Sequence, residues 1–302
     1  MKNRIVYVYF FFNTALAYSQ NYLDVIKVNL ATTPYNKFDT GLSKTKINQI
    51  DADLTVPVKI NKNFSLITGL INENIQTKLF ENQNIKQFGS VTLKLGINQK
   101  FDDNWSGTMV LLPKVSSDHG FTEKKDFQMG VLTMMKFKKR ENLNYKFGIY
   151  YNSELFGPFV APVVGMYYLN ADEKFEANLL LPLQADFSYK LFNRIRLGAS
   201  FTGQVRTYHL KNITIDNKSV YLEKSSNEFF AYLKLNFSKN FLMQIKSGQS
   251  VGRSFKAYRM DDTVNLGLPA IFFGKKREPL NTGFADGMIF QLVLLYRFLP
   301  VN

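Results

Sequence analysis

The residues able to do chemistry are few. His119 and His209 are the only imidazoles in 302 residues, and there is no cysteine. Ser116-Ser117-Asp118-His119 carries the residue types of a nucleophile, a base and an orienting acid. A hydrolytic triad needs those side chains to converge on one point, and neighbours along a single loop rarely do. Asp118 with His119, and Asp261 with Asp262, lack a ligand spacing suited to a metal. No glycine-rich phosphate motif follows a strand. Without cysteine there are no disulfides, no thiolate metal centre and no lipid-modified N-terminal cysteine. The sequence predicts a non-enzyme with no catalytic residue, no metal site and no cofactor.

A larger set of charged residues has a regular spacing. Ile50, Ala52, Leu54, Val56, Val58 and Ile60 alternate with Asp51, Asp53, Thr55, Pro57 and Lys59. Val91, Leu93, Leu95 and Ile97 alternate with Thr92, Lys94, Gly96 and Asn98, and Phe290 to Phe298 repeats the pattern with Gln291 and Arg297. Period two puts alternate side chains on one face of a β-strand, whereas an amphipathic helix needs spacings of three and four. One face of each strand is therefore apolar. The other carries Lys59, Lys94, Lys136, Lys138, Lys146, Lys190, Arg194, Arg196, Lys234, Lys246 and Arg297, against Asp51, Asp53, Glu176 and Asp186.

The elements that must position these residues read as strands over 22–31, 47–60, 64–72, 86–101, 105–113, 126–138, 143–152, 160–169, 174–182, 184–191, 194–204, 227–238, 241–248 and 287–298. That makes fourteen, or twelve if Pro182 only bends one strand or if the segment near Asp24 lies outside the wall. Short polar turns, such as Asn61-Lys62-Asn63 and Asp102-Asp103-Asn104, alternate with longer connections over 32–46, 73–85, 115–125, 205–227 and 249–286. Short turns on one end and long loops on the other are the layout of a transmembrane, antiparallel, up-and-down β-barrel. Phe64, Phe101, Trp105, Phe137, Tyr145, Tyr168, Phe175, Tyr189, Phe237, Phe241, Tyr296 and Phe298 cluster near the short turns or the closing strand's end, as an interfacial aromatic girdle does.

Export fits this plan. Lys2 and Arg4 precede the apolar run Ile5 to Phe12, and Ala17-Tyr18-Ser19 places small residues at a cleavage site. Residues 1–19 are expected to be a signal peptide and 20–302 a single barrel domain. The apolar run is far shorter than the roughly 20 residues of a spanning helix. An alternating C-terminal strand ending on Phe298 has the form that barrel-assembly machinery recognises. The positive excess of Lys and Arg points to lipopolysaccharide phosphates, small anionic solutes or a basic lumen, and not to nucleic acid, for which no basic helix or binding motif is present.

Asp103-Asn104-Trp105-Ser106, Phe147-Gly148-Ile149-Tyr150-Tyr151, Pro162 to Tyr168 and the run Leu181-Pro182-Leu183-Gln184-Ala185-Asp186-Phe187-Ser188-Tyr189 resemble an uncharacterised family of Gram-negative outer-membrane barrels, a domain of unknown function. The resemblance implies architecture and an outer-membrane location, and no catalytic residue. Two functions stay open. One is a porin-like channel whose lumen, lined by Lys94, Lys136, Lys146, Arg196, Lys234, Lys246, Asp51, Asp53, Glu176 and Asp186, prefers anions. The other is a structural or surface-binding barrel with a filled or plugged lumen. The long segment 249–286 is a candidate plug or adhesive surface.

Overall fold

A computed structural model describes residues 23–39, 42–81, 84–118, 120, 123–215 and 218–298. The signal segment expected over residues 1–19 lies outside the described residues, as does His119. Among the described residues, fourteen long strands form the wall. They are β1 (Leu23–Thr32), β2 (Asn48–Lys59), β3 (Phe64–Thr77), β4 (Lys86–Lys100), β5 (Trp105–Ser117), β6 (Phe127–Arg140) and β7 (Leu143–Glu154), followed by β8 (Gly157–Leu169), β9 (Phe175–Leu181), β10 (Gln184–Phe192), β11 (Ile195–Ile215), β12 (Lys218–Asn236), β13 (Phe241–Arg259) and β14 (Met288–Phe298). Each pairs antiparallel with its neighbours in sequence, and β14 returns to β1 with Phe298 opposite Leu23. The sheet is closed. Arg297 Nε donates to Asp24 Oδ1 at 2.6 Å across this seam, tying the last strand to the first.

Closure explains the alternation. Leu93 and Leu95 are exposed while Lys94 between them is largely buried, and Ile149 and Tyr151 are exposed while Asn152 is buried. A soluble protein inverts this order. An apolar outer face with a polar interior is what lipid requires of a barrel, whose backbone groups are all paired within the sheet.

The turns on the short-turn end share a local rule. Asn61 Oδ1 accepts from the backbone N–H groups of Asn63 and Phe64, both at 2.9 Å. Asp102 Oδ1 accepts from Asn104 and Trp105 at 2.7 and 2.8 Å, and Ser238 Oγ accepts from Asn240 and Phe241 at 3.3 and 3.0 Å. In each case a polar side chain satisfies two turn donors, and the next strand begins on an aromatic. The rings then meet across strands: Trp105 lies 4.9 Å from Phe137, and Phe237 lies 5.8 Å from Phe241.

The opposite end departs from expectation. Pro182-Leu183 is a two-residue connection between β9 and β10, so it separates two strands instead of bending one. The gap expected between residues 152 and 160 contracts to Leu155-Phe156, flanked by Gly157 at φ 127°. The connection expected over 205–227 is largely strand, and the one expected over 249–286 is strand as far as Arg259, because β11, β12 and β13 run 21, 19 and 19 residues. Only the lower part of β11, up to Thr202, pairs with β10. Above it β11 keeps its pairing with β12, leaves the wall and reaches β5 on the far side, where His209 pairs with Ser117 in parallel. The upper halves of β11, β12 and β13 thus form a ribbon folded across the barrel mouth.

The ribbon brings its own core. Tyr208, Leu210, Leu222 and Phe255 are fully buried against Ile75, Leu79 and Phe88 of the opposite side, with Phe38 and Phe284 from the loops above. Tyr221, Tyr258 and Val264 pack on Phe156, Phe159 and Ala161. At roughly 2 kcal/mol for each large side chain removed from water, this packing is ample to hold the ribbon down.

Candidate functional site

The interior is the candidate site, and its charges come in two tiers. The lower tier holds most of the residues predicted from sequence. Lys94 reaches the Asp53 carboxylate and donates to Thr55 Oγ1 at 2.7 Å. Asp51 accepts from Asn29 Nδ2 at 2.9 Å and from Gln49 Nε2 at 2.9 and 2.8 Å. Arg196 lies 3.6 Å from Glu176, which also accepts from the Tyr167 hydroxyl at 3.3 Å. Asp186 accepts from the Tyr232 hydroxyl at 2.8 Å.

The remaining predicted cations sit on aromatics or beside one another. Lys246 Nζ lies 4.8 Å from the centre of the Phe230 ring and 5.5 Å from that of Tyr232. Lys234 is buried, 5.7 Å from the Tyr232 ring. Lys136 and Lys146 are direct cross-strand partners on β6 and β7, and Lys146 donates to Asn178 Oδ1 at 3.3 Å. Gly198 has a steric role here: a methyl group at that position would collide with the Tyr232 ring, which lies against the wall. The predicted cations are therefore not a free basic row. Lys94 and Arg196 spend their charge on acids, and Lys246 and Lys234 lie by rings.

The upper tier was not foreseen, because most of its residues, Glu73, Arg206, Tyr208, His209, Lys211 and Lys224 among them, fall in segments that read as loops. Glu73 lies near the top of β3. It accepts from the Tyr208 hydroxyl at 2.8 Å and from Lys224 Nζ at 3.0 Å, with Arg206 Nε at 3.6 Å. Lys224 also donates to Gln49 Oε1 at 2.9 Å. Glu154 accepts from the Thr207 backbone N–H at 2.8 Å and its hydroxyl at 2.5 Å, with Lys114 Nζ at 3.5 Å. Asp126 takes His209 Nδ1 at 2.8 Å and Lys211 Nζ at 2.6 Å. These three carboxylates stand on the wall side, and the ribbon supplies a partner to each. A buried carboxylate without such a partner is costly, so the three sites fix where the ribbon docks.

Between the tiers lies a cavity of about 180 Å³. Lys27, Arg206 and Lys246 face it, as do Asp51, Asp53, Glu73 and Glu228, with Asn29, Gln49, Gln204 and Gln291 between them. Its lining carries both signs of charge.

The residues first weighed for catalysis serve the framework. Ser116 Oγ donates to the Thr207 carbonyl at 2.8 Å, and Asp118 accepts from the backbone N–H groups of Lys211 and Asn212 at 2.8 and 3.2 Å. His209, within the connection expected over 205–227, is in strand β11. Asp262 Oδ2 accepts from the Glu278 N–H at 3.1 Å. Among the described residues, no group of three His, Cys, Asp or Glu side chains is placed to hold a metal.

A closed antiparallel barrel with an apolar exterior, short turns at one end and a charged interior defines the class: a transmembrane β-barrel of the outer-membrane type. The chain belongs to the family described as domain of unknown function DUF6268, whose model matches residues 31–263. No curated protein matches it. Among solved structures it is similar to the COG4313 outer membrane channel from Pseudomonas putida F1, at 7% identity and a TM-score of 0.46, over 94% of this chain and 100% of that one. It is also similar to the Pseudomonas putida toluene transporter TodX, at 8% identity and 0.37, over 90% and 88% of the two chains. Pseudomonas aeruginosa OpdQ is similar at 10% identity and 0.30, over 90% and 96%.

Proposed function

We propose that this protein is an outer-membrane channel of porin-like build, described in a closed state, that passes small polar solutes once the β11–β13 ribbon moves. The carrying observation is the polar cavity lined by both charge signs directly beneath a ribbon held by three buried carboxylate sites. A barrel of this size built only as a wall anchor gains nothing from burying such ions, since well-packed apolar side chains of similar volume are as stable or more so. Groups of this kind serve better to specify one of two arrangements.

The selectivity that follows is weak. Lys94 and Arg196 are offset by Asp53 and Glu176, and the cavity's cations are matched by its acids. A strongly anion-preferring lumen would need those cations unopposed. Reversal potentials across a planar bilayer in a KCl gradient test this. The expected value for a variant with an opened mouth is close to zero, and a large shift towards the chloride potential would restore the anion-selective alternative. A filled barrel with no transport predicts no conductance even when the ribbon is released.

A further inference from the structure

The wall is uneven above β9 and β10. β9 has only seven residues and pairs with β8 from Val164 to Leu169, so the edge of β8 from Gly157 to Val163 has no β9 partner. An open sheet edge facing lipid would leave backbone donors and acceptors unpaired, which a membrane does not tolerate. Two features relieve it. Pro158 and Pro162 carry no N–H, so their nitrogens leave no donor on that edge. A short hairpin from the last long loop, Leu266–Leu268 paired with Ile271–Phe273, then docks against the edge, with Gly267 beside Phe159.

Register fixes which way the hairpin faces. Phe159 points into the barrel and is buried, and Gly267 lies beside it, where an added methyl group would crowd the Phe156, Phe159 and Phe272 rings. Phe272 is opposite Gly267 and shares its inner face, with its ring 5.3 Å from Phe156 and the Arg277 guanidinium 4.7 Å away. By alternation, Leu266, Leu268, Ile271 and Phe273 take the outer face, the same one that carries the lipid-facing side chains of β8. Ile271 and Phe273 are about half exposed. Phe159 is ten residues from the short-turn end of β8, roughly 25 Å up a tilted wall, which is the outer edge of the apolar band. Gly274, Lys275 and Lys276 follow at once, and both lysines are exposed. Arg277 next to them is spent on Glu223 and Tyr221.

We infer that this hairpin is a lipid-binding patch in the barrel wall. Its outer apolar face takes acyl chains, and Lys275 with Lys276 takes the phosphate of a phosphorylated acyl lipid of the outer leaflet. The site continues the lipid-facing wall and adds paired cations at headgroup height. It holds whether or not the lumen conducts.

The test uses full-length protein folded into vesicles, with Trp105→Phe removing the only tryptophan. Phe273→Trp is expected to lose emission in brominated phosphatidylcholine and to resist aqueous iodide, while Phe272→Trp is quenched less by the bromine. Heat-modifiable gel mobility confirms folding, and Ile271→Trp on the same face replaces Phe273→Trp should that variant fail to fold. In vesicles doped with lipid A, detergent extraction is expected to leave lipid A on the wild type and to strip it from K275E/K276E. Iodide quenching of Phe273→Trp without bromine quenching would place the hairpin in water and overturn the proposal. Equal lipid A retention by both proteins would overturn the phosphate site.

Discussion

At the scale of single residues, Glu73 carries the most. It joins β3 to the ribbon through Tyr208, Lys224 and Arg206, and it is almost fully buried. Glu73→Gln leaves two cations facing a neutral amide. The expected loss is about 3 kcal/mol of stability, the usual result of breaking a buried ion pair from one side. Urea unfolding of the barrel in vesicles measures it. Asp102→Ala should cost about 1 kcal/mol by the same assay, since two turn N–H groups lose their acceptor. Beside it, the hydrogen bond and charge of Lys100 hold the Asp103 carboxyl below the ordinary carboxylate range. The stabilisation from that pair is present above the unfolded-state pKa and is lost as pH falls through the lower folded one. An NMR titration should show the Asp103 midpoint rising when Lys100 becomes Gln.

At the scale of elements, the proposed opening turns on the ribbon. Its contact with β5 rests on the Ser117–His209 pairing, on Asp126 and on Asp118. Asp126→Asn keeps the shape of that side chain and removes the charge that His209 and Lys211 face. Brief conductance steps, absent from the wild type, are expected from this variant in a bilayer. The same element marks where sequence reasoning stopped. All fourteen wall strands were legible, because lipid on one side and polar groups on the other enforce a strict period of two. The ribbon was not. Val205 to Ile213 mixes His209, Lys211 and Asn212 with Tyr208, Leu210 and Ile213, since Thr207, Tyr208, His209 and Leu210 put both faces of the strand inside the protein and neither needs to be uniformly apolar. A strand without a lipid face loses the signal that revealed the others. Arg206 was missed for the same reason, and Glu73 and Glu154 because they stand high on wall strands β3 and β7, where the neighbours Asn72, Asn74 and Ser153 are polar and the apolar alternation ends, whereas Lys94, Asp53 and Arg196 lie on lipid-backed stretches and could be placed by counting. What counting could not supply was their pairing, which depends on strand register.

For the whole molecule, the central claim is a polar conduit sealed at one mouth by its own strands. The direct measurement is planar-bilayer conductance of the refolded wild type beside a variant in which residues 207–221 are replaced by a short Gly-Ser turn. The wild type should give a quiet baseline, and the shortened protein, shown to be folded by heat-modifiable mobility, should give a steady open conductance with little ion preference. A wild type that conducts steadily, or a folded shortened barrel that stays silent, would contradict the account.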